Sequence, residues 1–283
     1  MPASGLQLTR FDSVDAFEDR ALPFLLERES EHNLFIGICG QIREGRYADA
    51  YLATVERDGA VVGAAWRTPP HNVGISHLDS PGALDVLARD VHDLYGTIPG
   101  VLAAKDDARR FAELWTSLSG QRCSVHQEQR IYELTEVRMP SGVSGEPREA
   151  TFADRDLLID WQAAFSVEAT GGSGSGAETV VDYRLDPSST AGQLFWWDGE
   201  VVSWTGYSGP TPNGIRIAPV YTPPALRGRG YASACVATLS QRLLDSGRRF
   251  CFLYTDLANP TSNSIYQKIG YRPVRDVDQY RFE

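Results

Sequence analysis

The stretch Leu226–Ala232, LRGRGYA, places two arginines and two glycines in seven residues, directly after the pair Pro223–Pro224. Upstream, NGIRIAPVY (Asn213–Tyr221) reads as a strand, ended where the two prolines remove backbone donors. Downstream, Val236, Leu239 and Leu243 recur at helical spacing, and Gly247 stands where a helix-terminating residue belongs. Arg227–Gly230 therefore fall at a strand-to-helix junction. The first turn of a helix leaves amide N–H groups unpaired and carries the positive end of the macrodipole. Glycines let a ligand approach the backbone, and arginines add charge and forked donors. Two readings follow: a basic turn that merely starts a helix, or a cradle for a phosphate or pyrophosphate.

The chain has 283 residues, enough for one large domain or two small ones, with 42% hydrophobic and 23% charged residues. Its net charge of −10 excludes a general nucleic-acid binder, which would carry a basic face. Residues 1–146 hold 14 basic against 22 acidic residues, and residues 147–283 hold 13 against 15, so the second half repels an anion less. No apolar run reaches the length of a membrane helix, and MPASGLQLTRFDSVD lacks the form of a signal peptide. Cys39, Cys123, Cys235 and Cys251 are widely spaced and read as small buried residues of a reducing compartment, so the expected location is the cytoplasm. All five histidines lie at or before His126. His71 and His77 lack a matching third ligand, and no metal is expected.

A second motif lies downstream in ANPTSNSIYQKIGYRPV. Asn259 is a good N-cap, Pro260 fits the first helical position, and Gly270 ends the helix. Arg227-x-x-Gly230-x-Ala232 resembles the Arg/Gln-x-x-Gly-x-Gly/Ala signature of the GCN5-related N-acetyltransferases, the GNAT superfamily. Asn259 to Tyr271 resembles that family's later signature, Asn-x-x-Ala-x-x-Leu-Tyr-x-x-x-Gly-Phe, with Ser262, Ile265 and Tyr271 as conservative departures. The resemblance is strongest over Leu194–Val274. It implies an α/β fold: mixed, mostly antiparallel sheets flanked by helices, with a splayed parallel strand pair at the cofactor site. It also implies acetyl-CoA as co-substrate. The pyrophosphate would meet the amides of Arg227, Gly228, Arg229, Gly230, Tyr231 and Ala232, and the pantetheine arm the strand end Val220, Tyr221 and Thr222. Asn259 and Ser262 are further candidate contacts.

In many members of that family the tyrosine at the position of Tyr266 protonates the leaving thiolate. A phenol of pKa near ~10 suits a thiolate whose conjugate acid lies near ~8.5. The attacking amine must also lose a proton, and Glu168 and Asp256 are the two candidate bases. The acceptor implied is an amine of a small molecule or peptide, with neither nucleic acid nor membrane as partner. The alternative is a regulatory module that holds acyl-CoA without turnover. Trp196, Trp197, Trp204 and Tyr207 read chiefly as core. The glycine-rich TGGSGSGAET (Thr170–Thr179) has no strand before it and no Lys-Ser or Lys-Thr after it, and reads as a surface loop.

The plan repeats. ERDGAVVGAAW (Glu56–Trp66) and WWDGEVVSWTG (Trp196–Gly206) each set Asp-Gly between β-rich arms. Each is followed by a strand, a helix, an apolar strand and another helix. The Gly-, Ser- and Pro-rich MPSGVSGEP (Met139–Pro147) divides the copies, giving expected domains 1–140 and 148–283 with 141–147 as linker. The first copy reads DSPGALDVLARD where the cofactor loop should be, without arginine or Gly-x-Gly before the helix, and has no tyrosine matching Tyr266. One cofactor site per chain is expected, in the second copy.

Overall fold

A computed structural model describes residues 5–283. They form two compact units: one runs through Ile131 and also takes Val274–Glu283, the other is Tyr132–Pro273.

The first unit contains β1 (Leu6–Arg10), α1 (Val14–Leu26), α2 (Asn33–Arg43), β2 (Tyr51–Arg57), β3 (Ala60–Arg67), β4 (Val73–Ile75), α3 (Pro81–Tyr95), β5 (Gly100–Ala104), α4 (Lys105–Ser119) and most of β6 (Cys123–Leu134). The chain returns to it with β12 (Arg272–Phe282), which pairs antiparallel with β5, Val277 opposite Ala104 and Arg281 opposite Gly100. The strand order is β1-β2-β3-β4-β5-β12-β6. β4 and β5 are parallel and pair through Val73–Val101 and Gly74–Leu102. The β2–β3 turn is Asp58-Gly59 with φ of 52° and 79°, the left-handed pair that a two-residue hairpin requires. Leu84, Leu87 and Val91 of α3 and Phe111 and Trp115 of α4 are fully buried on one face. Phe17 and Leu25 of α1 with Phe35 of α2 fill a second core.

The second unit contains β7 (Glu146–Glu149), α5 (Arg155–Thr170), α6 (Ala177–Leu185), β8 (Gly192–Trp197), β9 (Val201–Ser208), β10 (Gly214–Tyr221), α7 (Tyr231–Asp245), β11 (Phe250–Asp256) and α8 (Pro260–Ile269). Its strands run β11-β10-β9-β8-β7. All pairs are antiparallel except β10–β11. The apolar stripe of α7, with Cys235, Val236 and Leu239, packs on Ile215, Ile217 and Leu253 of the sheet and on Ile269 of α8. Leu158 of α5 and Val181 of α6 cover the other face against Phe195, Trp204 and Tyr221. Fully burying one such side chain contributes roughly 1.5–3 kcal/mol. The glycine-rich segment joins α5 to α6 as a loop.

The division of the chain differs from the expected 1–140, 141–147 and 148–283. Residues 132–140 pack with the second unit because Arg138 N–H donates to Ile269 O (2.6 Å) and the chain at Leu134 and Glu136 lies against Gly270. The expected linker is itself packed. Ser144 Oγ donates to Asp198 Oδ2 (2.6 Å), Ser144 O accepts from Trp196 Nε1 (2.8 Å), and Glu146 and Pro147 pair with β8. Composition marks a turn-rich stretch equally well whether it is free or docked.

Candidate active site

β10 and β11 pair only through Gly214–Phe250, Ile215–Cys251 and Arg216–Phe252, although β10 continues to Tyr221 and β11 to Asp256. Beyond Arg216 the two strands part. On its other edge β10 stays fixed to β9, with Val220 opposite Thr205 and Tyr221 opposite Trp204. Thr205 Oγ1 donates to Pro219 O (3.1 Å) and Ser203 Oγ to Tyr221 O (3.2 Å), so the strand end is held rigidly from one side. The Thr222 hydroxyl is taken up by Ser203 at 2.8 Å.

The chain then passes a short 3-10 turn, Pro224–Leu226, and enters Arg227–Gly230. Gly228 (φ 79°) and Gly230 (φ 86°) both adopt the left-handed region, which explains two glycines at this spacing. A Cβ on Gly230 would also lie 2.9 Å from Val143 Cγ2. The first backbone hydrogen bond of α7 is Ala234 N–H to Gly230 O (3.0 Å). Among the described residues, none of the amides from Gly228 to Ser233 donates to another protein group. The result is a run of open amides at a helix N-terminus, at the mouth of the splayed strands: an anion-binding arrangement.

The flanking side chains are less open than the backbone. Arg227 Nε donates to Thr222 O (2.8 Å), and its NH2 group pairs with Glu168 Oε2 at 2.6 Å. The Tyr231 side chain turns inward, buried, and its hydroxyl donates to Asp198 Oδ2 (2.6 Å). Of Tyr231, only the amide faces the turn. The hydroxyls of Ser144 and Tyr231, reinforced by the charge of Arg229, hold the Asp198 carboxyl below its ordinary range.

On α8, Asn259 is the N-cap, its Oδ1 accepting from Ser262 N–H (3.0 Å), as the sequence suggests. That bond commits the Asn259 side chain to the helix. Asp256 Oδ1 is likewise engaged, accepting from Ala258 N–H at 2.7 Å. Asn263, which the sequence reading passed over, bridges the strand and helix, donating to Asp256 O and to Asn259 O, each at 2.8 Å. It also accepts from Tyr132 Oη at 3.0 Å. Its sequence signal, one polar residue a turn after a cap, is too common to single out.

Tyr266 lies one turn further on, 8% exposed, packed edge-on against Tyr271 with ring centroids 5.8 Å apart. Burial pushes its phenol up to about 12. Its hydroxyl makes no hydrogen bond among the described residues, whereas the neighbouring Tyr271 hydroxyl is paired with Ser240 Oγ (2.8 Å). Glu168 stands on the last turn of α5, half-exposed, close to Arg227 and Tyr221. Trp161, two turns earlier, tilts against Tyr221 at 5.6 Å. Trp204 is fully buried, its indole donating to Gln193 Oε1 (3.0 Å), which removes it from any pocket wall. No described helix is long and apolar enough to cross a membrane, and the described residues hold no cluster of metal-ligating type.

Residues 155–271 match the acetyltransferase (GNAT) family. That match falls within the second unit, and the fold of the chain as a whole is shared with solved structures, a tandem GNAT protein among them. Solved structures align over nearly the whole length. One is a Drosophila protein (TM-score 0.68, 14% identity, 99% of this chain and 98% of that one). Another is a GCN5-related N-acetyltransferase from Sphaerobacter thermophilus (TM-score 0.61, 16% identity, 97% and 95%). A third is a tandem GNAT protein from the clavulanic acid biosynthesis pathway (TM-score 0.58, 12% identity, 97% of each chain). No curated protein matches the sequence.

Proposed function

We propose that the second unit transfers an acetyl or related acyl group from acyl-CoA to an amine of a small molecule or peptide. The observation that carries this reading is the run of open amides from Gly228 to Ser233, set at the end of a strand whose partner has diverged. Acetyl-CoA would supply an activated thioester. The amides of Gly228–Ala232 would hold its pyrophosphate, and the backbone of Val220–Thr222, unpaired with β11, would meet its pantetheine amides. Tyr266 would donate its proton to the departing thiolate. Glu168 and Asp256 remain the two candidate bases: Glu168 is paired with Arg227, and Asp256 accepts from Ala258 N–H. The first unit is read as holding no cofactor. Cytoplasmic action suits four free cysteines, of which Cys123 is exposed.

The test is calorimetry with acetyl-CoA followed by turnover of an amine panel by the wild type and Tyr266→Phe. Binding by the wild type, with kcat of the variant down about 10²-fold or more at nearly unchanged affinity, is the expected result. Binding without turnover of any amine would favour the regulatory module. The phenol, raised to about 12, stays protonated and able to donate across pH 6–10. No alkaline loss of kcat from this group is expected in that range.

A further inference from the structure

We infer that Glu168 is an internal anion that occupies Arg227 until a phosphate of the cofactor displaces it; the inference rests on the acyl-CoA reading above. Arg227 is fixed at one end by its Nε–H bond to Thr222 O (2.8 Å), which leaves its NH2 group for another partner. That end is held at 2.6 Å by Glu168 Oε2. The Arg227 guanidinium also lies 5.9 Å from the Tyr221 ring, at the strand end where the pantetheine arm would run. Burial and then the charge of Glu168 raise the Tyr221 phenol while Arg227 opposes them, so the three groups are close neighbours.

Glu168 does not sit where helix electrostatics would choose. It is on the last turn of α5, which Gly171 closes in the left-handed conformation, and a carboxylate there faces the negative end of the helix dipole. Arg227 offsets that repulsion. The second arginine of the turn, Arg229, makes a small contribution to lowering Asp198, behind the Ser144 and Tyr231 hydroxyls. The Arg227 charge is therefore already countered by a carboxylate of the same unit. A pyrophosphate gains the open amides at no such cost, but gains Arg227 only by exchange with Glu168. Glu168 released in this way carries a free carboxylate beside Tyr221 and Trp161, able to receive the protonated amine of an acceptor. The exchange links loading of the cofactor to readiness of the base.

The test is a double-mutant cycle read by calorimetry with coenzyme A at low ionic strength, where a half-exposed ion pair is least screened. Glu168→Gln is expected to bind coenzyme A roughly two- to five-fold more tightly than wild type, the scale of an exposed ion pair. Arg227→Gln is expected to bind more weakly, and adding Glu168→Gln to it to change nothing further. Equal or weaker binding by Glu168→Gln overturns the inference. So does equal tightening in the Arg227→Gln background, which would mean general charge repulsion rather than competition for one guanidinium. If the wild type binds no coenzyme A, the acyl-CoA reading itself fails, a result distinct from binding that is indifferent to Glu168.

Discussion

The two units reach the same point in the fold by opposite means. Each has a parallel strand that parts from its neighbour and leads into a helix: β4 into α3 in the first, β10 into α7 in the second. In the first unit, three of the junction amides are used internally. Ser76 N–H donates to Ala64 O (2.9 Å), His77 N–H to His32 Nε2 (3.0 Å) and Asp79 N–H to Val62 O (2.8 Å). No residue between β4 and α3 has a positive φ, and Asp79 places a carboxylate at the turn. In the second unit, two left-handed glycines lift the chain off the sheet and leave the amides from Gly228 to Ser233 open. One topology thus gives a junction tied to its own unit or a run of open amides, and the deciding variable is where the backbone donors go.

The largest effect expected from breaking this comparison is on the first unit's integrity. Its sheet is completed by β12, and Phe282 is buried there, 5.9 Å from the Trp115 ring and 6.4 Å from that of Phe111. Phe282→Ala should destabilise the first unit by about 3–5 kcal/mol, the range for truncating a buried phenylalanine. Segment-resolved hydrogen exchange should show α3 and α4 losing protection while α7 keeps it. Equal loss in α7 would show that the two units unfold together.

Acid distinguishes the units next. His32 is 3% exposed, and burial depresses its imidazole to about 4, opposed by a bond from Nδ1–H to Leu25 O (2.8 Å). The neutral ring is required, since Nε2 accepts from His77 N–H. With a folded pKa below the unfolded value near 6.5, its contribution is full above pH 6.5 and is lost as pH falls toward 4. The loss approaches about 3 kcal/mol at the lower limit. The second unit, Tyr132–Pro273, contains no histidine. Thermal melts of the first unit should therefore drop between pH 6.5 and 4, and a His32→Gln variant should lose most of that dependence. An unchanged slope in the variant would point to carboxylates instead.

What could be read from sequence divides along a physical line. The glycine turn, the Asn259 cap and the strand-helix order are local, each fixed by residues within a few positions of one another, and all were legible. The Arg227–Glu168 pair and the Tyr231–Asp198 bond each join residues far apart in the chain, and no local pattern points to either. The unit boundary was hidden for the same reason. Nothing local to Val274–Glu283 says that it will pair with β5. Tyr266 was legible as a position, but its unpaired hydroxyl and raised pKa come only from the packing around it.

The smallest expected effect is also the most direct test of the glycines. Gly230→Ala forces a side chain into the left-handed region, costing ~1–2 kcal/mol, and sets its Cβ 2.9 Å from Val143. Gly228→Ala meets the same backbone penalty at φ 79° but open space around its Cβ. In the first unit, Gly82 occupies the first turn of α3 without a positive φ, and a Cβ there meets only the end of Leu6 at 3.1 Å. Coenzyme A affinity should therefore fall most in Gly230→Ala, less in Gly228→Ala and not at all in Gly82→Ala. Melts should follow the same ranking. A loss of affinity in Gly82→Ala would place a ligand at the first junction and undo the contrast.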